Sequence, residues 1–306
     1  MASLPFKLGM FINELRLPLP EALDVAADLG VDYVWFSSLL DRPPVAELTD
    51  TELDEIDGMV RARGLQHMIV SAGAPFKHID LVALEADSLA ADEAFARDLA
   101  ELVRSMEIAN RWGVGAVSAY SFAWPGEYTA GKPTWPMRWA TRGGVIADVE
   151  MDKLAAAYGL VVAAAEKQDV DVVLSMMPWN YTNTTGNFRR VAERVGSDRI
   201  KVMWGPADNL NCGESDVATA GFRNISPWVH SLHTKDLRVN DGAKLDFDYL
   251  PFGEGQTDYA TVCRNLLAAK LDPIVSISTH WAPPSGSAVE AMTTQVGNVK
   301  ALIGSL

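Results

Sequence analysis

The densest chemistry in the sequence lies in one short run, Val229-His230-Ser231-Leu232-His233-Thr234-Lys235-Asp236. In an extended chain successive side chains point to opposite faces. Ser231, His233 and Lys235 therefore share one face, and His230, Leu232 and Thr234 the other. The HxxH spelling of His230 and His233 is then no chelating pair, and His230 reads as a half-buried strand histidine. His233 suits general acid–base work or hydrogen-bond donation, because an unperturbed imidazole titrates near neutrality. Lys235 beside it suits the stabilisation of negative charge developing on an oxygen. A second run, Ser276-Ile277-Ser278-Thr279-His280-Trp281, puts Ser276, Ser278 and His280 on a common face. A second imidazole near His233 would complete an acid–base pair, or the two would grip a carboxylate. Read blandly, both histidines are scaffold held by hydrogen bonds.

Tryptophan is the other signal. Of nine indoles, Trp35, Trp124, Trp135, Trp139, Trp179, Trp204 and Trp281 fall at predicted strand ends or in one long connection. Flat apolar rings with a hydrogen-bonding edge suit sugar rings and aromatic ligands. Any one of them is ordinary packing; several at one rim point to a ligand pocket, with Trp35, Trp179, Trp204 and Trp281 as its expected walls. Arg142, near the end of that connection, is placed to pair with an anionic substrate, and equally reads as a solvated loop charge.

The elements that must position these groups alternate regularly. β-Branched runs predict strands at Phe6–Phe11, Tyr33–Phe36, Gln66–Ser71, Ala116–Tyr120, Val170–Ser175, Ile200–Trp204, Trp228–His233 and Pro273–Ser278. Amphipathic stretches between them predict helices at Pro20–Leu29, Glu52–Arg63, Asp92–Trp112, Asp152–Lys167, Thr185–Val195 and Tyr259–Ala269, with Val289–Ile303 last. Short strands alternating with helices of this length signal parallel β/α units. Gly30, Gly64 and Gly113 stand just past three helices, where a left-handed cap disfavours any residue with a Cβ. No glycine-rich phosphate loop follows the first strand, so a dinucleotide-binding sheet has no anchor. The expectation is an α/β fold, a single (β/α)8 TIM barrel over residues 1–306, with a long loop at about 122–148 after the fourth strand.

Composition narrows the partners. The chain has 306 residues, 48% apolar and 22% charged, with 40 acidic against 26 basic side chains and a net charge of −14. That field repels nucleic acid and anionic lipid, and no apolar stretch approaches the roughly 18 residues of a membrane span. Cys212 and Cys263 have no metal-binding spacing, and Met1-Ala2-Ser3-Leu4-Pro5 lacks a leader's pattern, so a cytoplasmic location with free thiols is expected. A small-molecule substrate is the expected partner; assembly with further copies of the chain stays open.

The chain resembles the xylose-isomerase-like TIM-barrel superfamily of sugar isomerases, epimerases and dehydratases. The likeness is carried by Leu8-Gly9-Met10, by Ala22–Asp32, by Ile108–Gly113, and above all by His233-Thr234-Lys235-Asp236 followed by Pro251-Phe252-Gly253-Glu254-Gly255-Gln256-Thr257-Asp258. The resemblance implies a divalent metal held by a Glu ending the fifth strand, an Asp ending the sixth, the His of the HxKD run and a Glu ending the eighth. The matching positions here are Ser175, Gly205, His233 and Ser278, so three carboxylates are missing. A hard cation needs several oxygen ligands with charge, and the reading is accordingly no metal and no cofactor, with Ser175 and Ser278 left as hydroxyls for a substrate. The resemblance also puts Lys235 in the pocket and Asp236 against a loop. The expected function is a metal-independent isomerase, epimerase or lyase acting on a sugar-like or aromatic molecule through His233, assisted by Lys235 or His280. Two alternatives remain: a non-catalytic ligand-binding or partner subunit derived from a sugar isomerase barrel, and a metal-dependent sugar isomerase or epimerase whose ligands centre on Asp171 or Asp208.

Overall fold

The computed structural model describes residues 4–40, 42–125, 146–241 and 246–306. Eight parallel strands form the barrel: β1 (Leu8–Phe11), β2 (Tyr33–Trp35), β3 in two pieces (Gln66–His67 and Val70–Ser71), β4 (Ala116–Tyr120), β5 (Asp171–Ser175), β6 (Ile200–Trp204), β7 (Val229–Thr234) and β8 (Ile274–Ile277). Pairing runs in chain order and β8 returns to β1, with Leu8 opposite Val275 and Met10 opposite Ile277. The first piece of β3 pairs with β2 and the second with β4. The ring is therefore continuous through one strand broken at Met68 and Ile69.

Strand alternation sorts the apolar residues into two cores. Phe11, Trp35, Met68, Ala116, Val173 and Met203 pack together inside the barrel. Leu8, Met10, Val172, Leu174, Val202, Trp204, Leu232 and Ile277 face outward into the larger core beneath the helices. The helices are α1 (Leu19–Asp28), α2 (Asp50–Ala62), α3 (Glu93–Trp112), α4 (Asp148–Gln168), α5 (Thr185–Val195), α6 (Pro206–Asn211), α7 (Tyr259–Ala268) and α8 (Ala288–Gly304). Gly30, Gly64 and Gly113 take φ of 63°, 71° and 69°, as their capping positions require.

Two features differ from the sequence expectation. Asp208 stands in a short helix instead of a loop, because Pro206 at the first helical position starts a turn there. Beyond β7 the chain forms an antiparallel hairpin, Asp236–Asp241 with Asp246–Leu250, before reaching α7. Most of the expected long loop, with Trp135, Trp139 and Arg142, lies outside the described residues; α4 begins at its far end, at Asp148.

Candidate active site

A cavity of about 100 Å³ opens where the strands end. Phe11, Trp35, Met176, Met177 and Met203 supply its apolar surface, and His233, Lys235, Asp208 and His280 its ionisable groups. This is the end of the barrel where such folds place their chemistry. Phe11 and Trp35 stack at 4.2 Å, and the Trp35 indole N–H donates to Ser276 Oγ at 2.8 Å, which fixes the ring.

The ionisable groups form one chain of contacts. Lys235 Nζ lies 3.0 Å from Asp208 Oδ1, with the two side chains 1% and 5% exposed. Burial opposes the charge on Lys235, but Asp208 outweighs it and holds the ammonium above its ordinary pKa. Nζ is also 3.5 Å from Nε2 of His280. On its other side, His280 Nδ1 lies 3.0 Å from Glu14 Oε1. Glu14 further accepts from the Ser278 hydroxyl and the Thr279 N–H, each at 2.5 Å. Burial pushes Glu14 up, yet His280 and these hydrogen bonds prevail and hold its carboxyl at about 2. His280 itself sits at φ 56°. Left-handed backbone costs a non-glycine residue roughly 1–2 kcal/mol, so Glu14 and the edge-on ring of Tyr249, 5.0 Å away, hold His280 against strain.

His233 lines the cavity, but burial and then the Lys235 charge push its pKa down to about 3. It is a neutral imidazole near pH 7, with Nδ1 3.4 Å from Ser276 Oγ. A ring so hard to protonate is a weak base, which favours a hydrogen-bonding role for His233 over the expected one as main acid–base group.

The remaining expected residues divide. Trp35, Ser175 and Ser278 line the cavity. Trp281 lines an adjoining cleft of about 220 Å³, which shares Phe11 and His280 with it. Trp179 is buried beside Tyr120, with Lys77 Nζ 5.4 Å from its ring centre, and stands behind the cavity wall. Trp204 is turned away: it is fully buried in the outer core, its N–H donating to Asn209 Oδ1 at 3.1 Å. Its parity with Ile200 and Val202 explains this, since Met203 takes the inward direction. Asp236 braces the following loop, its carboxylate accepting N–H groups of Gly253 and Gly255 at 3.0 Å. Residue 255 must be glycine, because a Cβ there would lie 2.1 Å from Asp236 Oδ1. Glu14 and Tyr249 were missed as site residues, and Asp208 was named only as a centre for metal ligands in an alternative. The position of Glu14 three residues past β1 was the available signal for it; nothing local marks the other two.

The chain belongs to the xylose isomerase-like TIM barrel family, whose model matches residues 23–295. Among solved structures it is similar to the IolI protein, described with a binding zinc atom, at 16% identity and a TM-score of 0.74 over 98% of this chain and 99% of that one. An L-ribulose 3-epimerase gives 16% and 0.71 over 98% and 95%. The probable 3-DHS dehydratase AsbF of Bacillus anthracis, involved in petrobactin synthesis, gives 13% and 0.67 over 96% and 99%. At these identities the likeness is one of fold. No curated protein matches the sequence, and no helix among the described residues is long and apolar enough to cross a membrane.

A divalent metal does not fit the residues present. Ser175, Gly205 and Ser278 offer no carboxylate, and no group of three His, Cys, Asp or Glu among the described residues could hold an ion. The carboxylates that do reach the site are already engaged, Asp208 by Lys235 and Glu14 by His280.

Proposed function

We propose that the protein is an isomerase- or lyase-type enzyme that moves a proton on a small hydroxy-carbonyl compound, sugar-like or aromatic, without a metal. The Glu14–His280–Lys235–Asp208 chain carries this reading. Glu14 accepts from Nδ1 of His280, leaving the Nε2 lone pair to act as base. Nε2 removes a proton from the carbon beside the carbonyl, the electron pair passes to the carbonyl oxygen, and the ammonium of Lys235 stabilises the resulting oxyanion. For isomerisation the hydroxyl proton passes between the two oxygens of the enediolate and the proton on Nε2 goes to the former carbonyl carbon; for elimination the carbonyl re-forms and a β-hydroxyl leaves with that proton as water. Neutral His233 serves as a hydrogen-bond partner, and Phe11 and Trp35 support a ring.

The placement of the groups narrows the reaction. Across the cavity from His280, the lining residues Tyr120, Ser175, Met176 and Met177 include no carboxylate or imidazole. One base on one face supports isomerisation or elimination on a single face. Epimerisation by two opposed bases would need as its second base Asp208, already paired with Lys235, or His233.

The test is turnover of D-fructose, D-psicose and 3-hydroxycyclohexanone in D2O with EDTA, followed by NMR. His280→Asn is expected to slow deuterium exchange by roughly 10²–10⁴-fold, the usual share of positioned proton transfer. Activity that appears only on adding a divalent metal refutes the mechanism. Tight binding of one of these compounds with no exchange favours a ligand-binding barrel instead.

A further inference from the structure

We infer that the ammonium of Lys235 is the resident cation of this pocket, occupying a donor set of the kind that would surround a divalent ion, with the carboxylates supplied from new places in the chain. The ammonium is 1% exposed and touches a carboxylate oxygen at 3.0 Å and an imidazole nitrogen at 3.5 Å. Those are the atom types that ligate metals. The carboxylates match the missing ones in space. A Cβ on Gly205 would lie 2.6 Å from Asp208 Oδ2, so the carboxylate of Asp208 fills the room that a longer side chain at 205 would take. At the end of β8, where residue 278 is a serine, its hydroxyl and the next N–H both donate to Glu14. Two of the three lost carboxylates are thus met by ones arriving from elsewhere, Asp208 facing the chain's own ammonium and Glu14 facing His280, while Ser175 has no such replacement.

The consequence is exclusion. A metal ion entering this site meets a positive charge within a few ångström in a medium that screens it poorly. Asp208 and Glu14 act as positioning residues, one for the ammonium and the other for His280. The inference rests on the proposed function's reading of this pocket as a working site whose positive charge is Lys235 and not a metal. Its test is cation binding and not turnover, so either can fail alone.

Metal-free protein is titrated with Co²⁺, following visible absorption and melting temperature. The wild type is expected to show no saturable absorption and no rise in melting temperature at millimolar Co²⁺. Lys235→Ala, which vacates the space between Asp208 and His280, is expected to bind one Co²⁺ per chain through those two side chains and water, roughly 100-fold more tightly than wild type, the scale of removing a like charge. Asp208→Asn in that background should abolish the gain. A stoichiometric Co²⁺ site in the wild type overturns the inference, as does folded Lys235→Ala that binds no better than wild type. Lys235→Met, which keeps the aliphatic stem, is titrated in parallel in case the alanine variant does not fold, and the same outcomes decide.

Discussion

Replacing Asp208 by Asn strands a cation. The pair lies almost entirely out of solvent, 1% and 5% exposed at 3.0 Å, so the discount for a screened surface ion pair does not apply. With the carboxylate gone, Nζ keeps only neutral acceptors, the Asn amide oxygen and His280 Nε2 at a long 3.5 Å. Removing one member of a buried ion pair typically costs about 3–5 kcal/mol. That is a large share of the roughly 5–15 kcal/mol that holds a domain together. At about 2 °C per kcal/mol for a chain this large, melting should fall by roughly 6–10 °C. Lys235→Met should cost about as much by leaving the buried carboxylate unpaired. The double variant Lys235→Met with Asp208→Asn carries no net charge there, and should lie within about 1–2 kcal/mol of wild type, above either single variant. Urea unfolding followed by far-ultraviolet circular dichroism, alongside calorimetry, measures the cycle. Single-variant losses below about 1 kcal/mol, or a double variant that merely sums them, would refute a coupled buried pair.

Acid should weaken the fold through His67, whose ring stacks on Trp112 at 4.1 Å and whose pKa burial pushes down to about 4. Between the ordinary 6.5 and 4 the unfolded chain binds the proton and the native one does not, so stability falls as pH falls through that window, by up to about tenfold in the folding constant per pH unit. His67→Phe should flatten that limb of the urea midpoint against pH. Gly255→Ala drives a Cβ to 2.1 Å from Asp236 Oδ1 and 2.6 Å from the Leu237 carbonyl oxygen; it should cost roughly 3 kcal/mol or more, read as a lower melting temperature. Trp204→Phe removes the 3.1 Å bond to Asn209 and should cost about 1–3 kcal/mol, while quenching of Trp35 fluorescence by a bound ligand is unaltered.

The barrel was legible because two local rules repeat through the chain. Alternating β-branched runs mark the strands, and glycine caps end the helices between them, so β4, β6 and α5 fall on their expected bounds. The break in β3 was not legible, since it falls at Met68 and Ile69 inside the apolar run Met68–Val70, and only the pairing with two different neighbours divides the strand. In the site, parity alone placed His233 and Lys235 correctly on the inward face. Applied equally to β6, parity would have turned Trp204 outward; nearness to a strand end says nothing about direction. Glu14 and Asp208 belong to turns beyond their strands, where no period governs the side chain. Their roles come from partners 266 and 27 positions away in the chain, His280 and Lys235, which only the closed ring brings within reach.

The close fit between Gly205 and Asp208 also bears on how such a site can change by descent. A carboxylate side chain placed at 205 by one substitution brings its Cβ 2.6 Å from Asp208 Oδ2, so the Asp208 carboxylate must shift. That shift pulls it from the ammonium of Lys235. Losing Lys235 first leaves a buried carboxylate unpaired. Every single step therefore passes through a less stable protein, and only compound changes avoid it. The Lys235–Asp208 pair would in this way act as a ratchet, holding a chain that carries it to its present arrangement.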